Sequence, residues 1–387
     1  MTTAQKEPNG NEACPAATGA LDYLTVKGFR SIKSIEKLEL RRINVLVGAN
    51  GSGKSNFLGV FELLREIRNG RLVDYTARAG GAEKILHFGS KVTSEIELEI
   101  SFRGGVNGYH VVLSPTIEDR FYVREEAYTY RGKDDHPLPY IERFLDRGPE
   151  ARISDSKEQN VGRLQEMRPV QSWLSSWRKY HFHDTSSLSP MRKTADVDDN
   201  RLLRPDARNL AAFLFLLHQR HQPEYQLIRK TVQLVAPFFD DFHLEPLRLN
   251  PDKIKLEWTH KSTDAYFDAS SLSDGTLRFI CLATLFLQPP EYRPSVIIVD
   301  EPELGLHAYA ITMLASLVKS AATDTQVVLA TQSALLLDHF EPEDVLVADL
   351  EEGATTLKRL DSQELAGWLE DYSLGQLWEK NQFGGRP

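Results

Sequence analysis

Residues 48–55 read Gly48-Ala49-Asn50-Gly51-Ser52-Gly53-Lys54-Ser55, a match to G-x-x-x-x-G-K-[ST]. Glycines at these positions let the main chain wrap closely around an anion, so that successive N–H groups converge on phosphate oxygens. Just upstream, Ile43–Val47 is a short aliphatic run of the kind that forms a strand buried on both faces. Downstream, Ser55 to Asn69 carries Phe57, Leu58, Phe61, Leu64 and Ile67 at helical spacing and stops at Gly70. A strand, a glycine turn and a helix in this order aim the positive end of a helix dipole at the turn. The spacing predicts a phosphate cradle, with Lys54 reaching the β- and γ-phosphates of a nucleotide and the Ser55 hydroxyl coordinating Mg²⁺.

Three further aliphatic runs, Val296–Val299, Val327–Ala330 and Val345–Ala348, read as partners of Ile43–Val47 in a mostly parallel sheet. Ligands of open α/β sheets bind at the carboxyl ends of the strands, so the turns after residues 47, 299 and 330 are expected to face one crevice. Asp300, ending the second run, is then placed to hold Mg²⁺ through water, and Glu301 to polarise an attacking water as general base. Gln332 lies in the turn Thr331-Gln332-Ser333 and can orient a water, though it cannot take up a proton at neutral pH. Leu272-Ser273-Asp274-Gly275-Thr276 opens an apolar helix, Leu277 to Leu287. Ser273 and the N–H groups of Gly275 and Thr276 would form a second anion-binding helix start there, or an ordinary serine cap.

Tyr23–Val26, Lys37–Leu40 and the alternating residues 95–100 read as half-exposed strands of an accompanying antiparallel sheet. Helices are also expected at His307–Ala321 and Asn209–Arg220. The organisation expected from these elements is an α/β nucleotide-binding head in two halves, residues 21–104 and 266–387. They are separated by a compact helical insertion lobe over 105–265 and preceded by a polar, disordered tail over 1–20. No heptad repeat persists, so a long coiled-coil arm is not expected.

The chain of 387 residues is 41% hydrophobic, and no apolar run approaches the length needed to cross a bilayer. Its two cysteines, Cys14 and Cys281, cannot build a disulfide framework, which fits a reducing cytoplasm. Net charge is −9, with residues 121–230 carrying 19 Lys and Arg against 16 Asp and Glu. That local excess is compatible with a DNA-facing surface, yet a solvated surface of mixed charge is the better expectation. Tyr180-His181-Phe182-His183-Asp184 invites a metal reading, since His181 and His183 alternate on one face. Nothing nearby completes a ligand set, and a packed, hydrogen-bonded histidine pair is the better expectation. Trp173 and Trp177, one helical turn apart, are expected to anchor a core.

Gly51-Ser52-Gly53-Lys54-Ser55-Asn56, Leu272-Ser273-Asp274-Gly275-Thr276, Asp300-Glu301-Pro302-Glu303 and Thr331-Gln332-Ser333 together resemble the AAA-type ATPases of the RecF/SMC-like ABC class. Val26-Lys27-Gly28-Phe29-Arg30-Ser31, Leu203–Leu210, Leu374–Trp378 and Gly384–Pro387 are similar to the same group, so the resemblance spans most of the chain. It implies a P-loop NTPase of ABC-type head fold with ATP and Mg²⁺ as cofactors. The nucleotide-binding set would run from Gly48, Ala49 and Asn50 to Asn56, the metal set would be Ser55 and Asp300, and the catalytic set Lys54, Glu301 and Gln332. It also implies an ATP-dependent homodimer, in which Ser273 and Gly275 of one protomer complete the site at Lys54 of the other. His307 falls in the neighbourhood of the class's D-loop, where a capping role is expected at least as much as a catalytic one. No glutamine clearly fills the position expected after the first helix, and Gly80–Gly89, in the rough location, is given no role.

Two functions fit. The leading one is a DNA-associated ATPase of RecF type in repair or genome maintenance, with the acidic balance as its main weakness. The other is a regulatory ATPase of a bacterial anti-phage system that controls a separate effector or nuclease, since the chain carries no nuclease signature. A transporter subunit is disfavoured by the separation of 217 positions from Ser55 to Leu272 and by Pro302-Glu303.

Overall fold

The computed structural model describes residues 19–130, 140–144, 148–154 and 167–385; Cys14 and nearly all of the N-terminal tail, with Arg386 and Pro387, lie outside them. Ile43–Val47 is the central strand of a six-stranded sheet. Gln326–Ala330 and Val345–Glu351 flank it in parallel, and Val296–Asp300 pairs in parallel beyond the first of these. All four aliphatic runs are therefore strands of one sheet. Ala354–Arg359 closes one edge antiparallel, and Arg178–Tyr180 closes the other parallel to Val296–Asp300.

Alternation within these strands divides the interior. Val45, Val47, Ile297, Val299, Val327 and Leu329 face one apolar cluster, shared with the helices Leu210–Arg220, Asp274–Leu287 and Ala308–Ala321. Leu46, Val296, Ile298, Val328 and Ala330 face a second, shared with the helix Lys54–Arg68 and the antiparallel sheet. Covering both faces explains why no polar alternation marks these strands in the sequence.

The antiparallel sheet runs in the order 32–39, 21–29, 96–102, 107–115, 121–130, 140–144. Its last three strands correct the expected partition. The segment 105–265 is not one inserted helical lobe, because strands 107–115, 121–130 and 140–144 complete the head's own antiparallel sheet and Arg178–Tyr180 joins the parallel one. The described helices of the segment are Arg168–Ser176 and, farther on, Leu210–Arg220 followed by Gln222–Val235. Strands 107–115 and 121–130 escape a period-two reading because polar residues such as Asn107 and Glu126 sit buried on their inner face. Each has a partner: Asn107 donates to the Tyr128 hydroxyl at 2.5 Å, and Glu126 accepts from the Tyr109 hydroxyl at 2.9 Å.

Trp173 and Trp177 pack between the two sheets. Trp177 lies 5.4 Å from the Phe61 ring of the Lys54–Arg68 helix, and Trp173 lies 4.9 Å from Phe102 of the antiparallel sheet. Gln326 ties the sheets together directly. Its amide oxygen accepts from Leu21 N at 3.0 Å, and its amide nitrogen donates to the carbonyls of Leu21 and Arg41, both at 2.9 Å. Among the described residues, no helix is long and apolar enough to cross a membrane.

Replacing Gln326 by leucine keeps the volume and strands buried main-chain groups at Leu21 and Arg41. Unpaired buried polar groups cost about 1–3 kcal/mol. Gln326→Leu is expected to lower the unfolding free energy by that amount in urea titrations and to speed amide exchange at Leu21.

Candidate functional site

The turn after Ile43–Val47 is held from behind. Gly53 has φ +98°, and a Cβ there would come within 1.9 Å of the Thr355 hydroxyl, so only glycine fits. Thr355 Oγ1 donates to the Ser52 carbonyl at 2.9 Å, and Thr355 N donates to the Ser31 carbonyl at 2.7 Å. The C-terminal segment closes on the same turn: a Cβ on Gly385 would lie 3.3 Å from Gly48 Cα, and Trp378 Nε1 donates to the Gly385 carbonyl. The terminal residues that resembled the family thus brace the start of the glycine turn.

Lys54 folds back on its own turn, its Nζ donating to the carbonyls of Gly48 at 2.6 Å and Ala49 at 2.9 Å. Burial lowers the Lys54 pKa, opposed by the carboxylates of Glu301, Asp300 and Glu303. Ser52 Oγ is buried without a hydrogen-bond partner. An orphaned hydroxyl and a desolvated ammonium held only by carbonyls both suit an incoming phosphate. The residues therefore fit a nucleotide triphosphate. The cavity of about 230 Å³ at this turn is lined by Asn50, Gly51, Gly53, Lys54, Ser55, Asn56, Glu301 and Gln332. Asn56 also reaches away, donating from Nδ2 to the Ser31 hydroxyl at 2.7 Å.

Glu301 and Gln332 meet there, with Gln332 Nε2 donating to Glu301 Oε1 at 2.6 Å. Glu301 adopts a left-handed backbone, φ +44°, immediately after the strand. Such a conformation costs a non-glycine residue on the order of 1 kcal/mol and clusters at functional sites. Glu303 supports the pair, its Oε1 accepting from Thr331 Oγ1 at 2.7 Å and from Gln332 N at 3.0 Å, while its Oε2 is buried with no partner. Burial raises the Glu303 pKa, and the hydrogen bonds from Thr331 and Gln332 offset part of that rise.

Asp300 faces the other way. Its Oδ2 lies 3.5 Å from Lys179 Nζ, and its carbonyl accepts from His183 Nε2 at 2.9 Å. His181 and His183 are both exposed, which corrects the expectation of a packed pair, and among the described residues no cluster of metal-ligating side chains forms. Ser55 lines the cavity at Lys54 and Asp300 does not, so holding Mg²⁺ between them would require the Asp300 carboxylate to leave Lys179.

Ser273 is exposed and caps Asp274–Leu287, its Oγ accepting from Thr276 N at 3.2 Å. A Cβ on Gly275 would lie 2.3 Å from the Gly305 carbonyl, so this glycine is required for packing within one chain whatever else it does. Neither residue lines the cavity at Lys54. Arg278, one turn into the helix, donates from Nε to the Phe182 carbonyl at 2.9 Å, from Nη2 to the His183 carbonyl at 3.1 Å, and from Nη1 to the Leu304 carbonyl. One buried guanidinium thus joins the helix start to both loops flanking Asp300. His307 caps Ala308–Ala321 through Nδ1, which accepts from Ala310 N at 3.3 Å. His87, in the segment given no role, is buried against the Arg30 carbonyl, its Nδ1 at 2.8 Å.

Sequence reasoning gave no role to Glu303, although it stands in the Asp300–Glu303 motif, and it did not find Lys179, Arg278 or Thr355. The edge strand bearing Lys179 is three residues long, too short for any periodic signal.

Fold and site together define a head of the ABC-type P-loop ATPase class. Residues 43–338 match the family described as AAA domain, putative AbiEii toxin, Type IV TA system, and the chain belongs to that family. Among solved structures it is similar to an SMC head bound to the C-winged helix domain of ScpA, with a TM-score of 0.60 and 15% identity over 89% of this chain and 99% of that one. It is also similar to an SMC head with an extended coiled coil, bound to the C-terminal domain of ScpA and derived from Pyrococcus furiosus; the TM-score is 0.53, with 14% identity over 91% of this chain and 98% of that one. At these identities the likeness is one of fold. No curated protein sequence matches the chain at a significant level.

Because the folded chain resists charging Glu303, it binds that proton more tightly than the unfolded chain. The associated stability is present in acid and is lost as pH rises through the raised folded value. Melting temperatures of wild type and Glu303→Gln, measured from about pH 4 to pH 8, are expected to diverge in favour of the variant as pH rises. Parallel curves would mean that Glu303 is not held against ionisation.

Proposed function

We propose that this protein is an Mg²⁺-dependent ATPase whose heads pair on ATP binding. The observation that carries the reading is the division of the site. Lys54, Glu301 and Gln332 share one cavity, while Ser273 stands exposed at a helix start outside it. A single chain then presents a phosphate cradle and a separate anion-binding cap, and a second copy is needed to bring them together.

In this reading the N–H groups of Gly51 to Ser55 and the Lys54 ammonium hold the phosphates, with Lys54 giving up its two carbonyl partners to do so. Ser55 and Asp300 would hold Mg²⁺, which supplies neutralisation of phosphate charge. Glu301, oriented by the Gln332 amide, accepts a proton from the attacking water. Gln332 cannot itself take up a proton, so turnover is expected to be slow and ATP to act chiefly as a clamp. Ser273 and the N–H groups after it would close on the nucleotide held by the partner.

The output we favour is control of a separate effector in a bacterial defence or toxin–antitoxin setting. The description of the family as a putative toxin of a Type IV system supports it, and so does the net charge of −9, which disfavours broad contact with a phosphate backbone. A DNA-associated role in repair or genome maintenance is the second reading, resting on the Arg-rich stretch between 121 and 230.

Turnover and oligomeric state, measured with and without DNA, test these readings. Glu301→Gln is expected to lose on the order of 10²–10⁴-fold in turnover, as for a missing general base, and to accumulate an ATP-bound dimer. Lys54→Ala and Ser273→Arg are each expected to be inactive alone and to recover part of the activity when mixed, because one complete site re-forms. Wild-type turnover by Ser273→Arg alone would sink the shared site. Stimulation of turnover by DNA would favour the second reading.

A further inference from the structure

A second cavity, of about 450 Å³, opens on the far side of Asp300, between the helix Lys54–Arg68 and the edge strand Arg178–Tyr180. Its size falls in the range of small-molecule sites. Cationic and imidazole groups dominate its wall: Arg65, Arg178, Lys179, His181 and His183, against the carboxylates of Glu62 and Asp300. None of its lining residues lines the cavity at Lys54.

The wall holds more hydrogen-bond donors than acceptors. Arg65 Nε and Trp177 Nε1 are buried N–H groups with no acceptor. Trp177 is 1% exposed. Arg178 has only main-chain partners among the described residues, its Nη1 donating to the carbonyls of Ser175 and Trp177. Among the described residues, the carboxylate partner of Arg65 is Glu66 at 4.0 Å and that of Lys179 is Asp300 at 3.5 Å. Burial, followed by repulsion from Arg65, lowers the Arg178 pKa to about 10. Half-buried cations with only distant or main-chain partners and buried N–H groups without acceptors are both costly, and an oxygen-rich anion relieves both at once.

We propose that this cavity is a binding site for the phosphate or polyphosphate group of a small molecule, held by Arg65, Arg178 and the Trp177 indole N–H, and distinct from the nucleotide site at Lys54. The apolar part of the wall, from Phe61 and Ile298, would take the less polar portion of such a ligand. Guanidinium groups suit this role because their paired N–H donors match two phosphate oxygens. The binding claim stands apart from the reading of the chain as an ATPase, since it needs neither turnover nor dimerisation.

The test is calorimetric titration of the full chain with inorganic pyrophosphate, in a Lys54→Ala background that weakens binding at the glycine turn. Pyrophosphate is expected to bind this protein and to lose on the order of tenfold or more in affinity when Arg178→Gln or Arg65→Gln is added. Binding of an ATP analogue to the Arg178→Gln single variant, with Lys54 intact, reports that the head is folded; Arg65→Gln, on the helix surface, carries the test should Arg178→Gln not fold. Absence of pyrophosphate binding in the Lys54→Ala background overturns the proposal. So does binding that neither arginine substitution weakens, since the anion would then sit at the glycine turn. Binding of a single-stranded oligonucleotide but not of pyrophosphate would also overturn it, assigning the cations to a nucleic-acid backbone.

Discussion

Burial of the strand Ile43–Val47 on both faces is the constraint from which the rest of the molecule follows. Its alternate side chains enter two separate apolar clusters, and it pairs with a strand on each edge, so its main chain has no polar group left to offer until the strand ends. Chemistry is thereby driven to the carboxyl ends of the sheet, where the turns carrying Gly48–Lys54, Asp300–Glu303 and Thr331–Ser333 come side by side. Strain and desolvation concentrate there as well: a left-handed Glu301, an unpartnered Ser52 hydroxyl and a half-satisfied Glu303 carboxyl lie within three neighbouring turns. Elsewhere in the head, groups such as Asn107, Glu126 and Gln326 are buried and paired.

A second design element is the use of buried arginines to gather loops. Arg278 collects three carbonyls from the two loops beside Asp300, and Arg192 donates to the carbonyls of Thr185 and Ala269 and to the Asp274 carboxylate at 2.8 Å. Both act on the start of the helix that displays Ser273. The start of the helix bearing that exposed serine is therefore tied, through these hydrogen bonds, to the loop that follows Val296–Asp300.

Much of this was legible in the chain. Three of the four aliphatic strands are followed at once by a turn of the site, so period and punctuation agreed. Other parts were illegible for definite reasons. Strands 107–115 and 121–130 hide behind buried polar residues whose partners lie on neighbouring strands, which a local period cannot reveal. Arg178–Tyr180 is too short to carry a pattern, yet it brings Lys179 to Asp300. The two histidines after it alternate as a strand would, but the chain turns away from the sheet and leaves them exposed.

By itself, the sequence determined the glycine turn, the acidic strand end, the serine-capped helix and the sheet that carries them, because each rests on local backbone requirements and on residue spacing. The tertiary structure alone decided what surrounds them: Thr355 and Gly385 behind the turn, Glu303 beneath Gln332, Arg278 across two loops, and the donor-rich cavity beside Asp300. Those arrangements join residues tens to hundreds of positions apart. Such contacts depend on how layers pack, and no local signal in the chain encodes them.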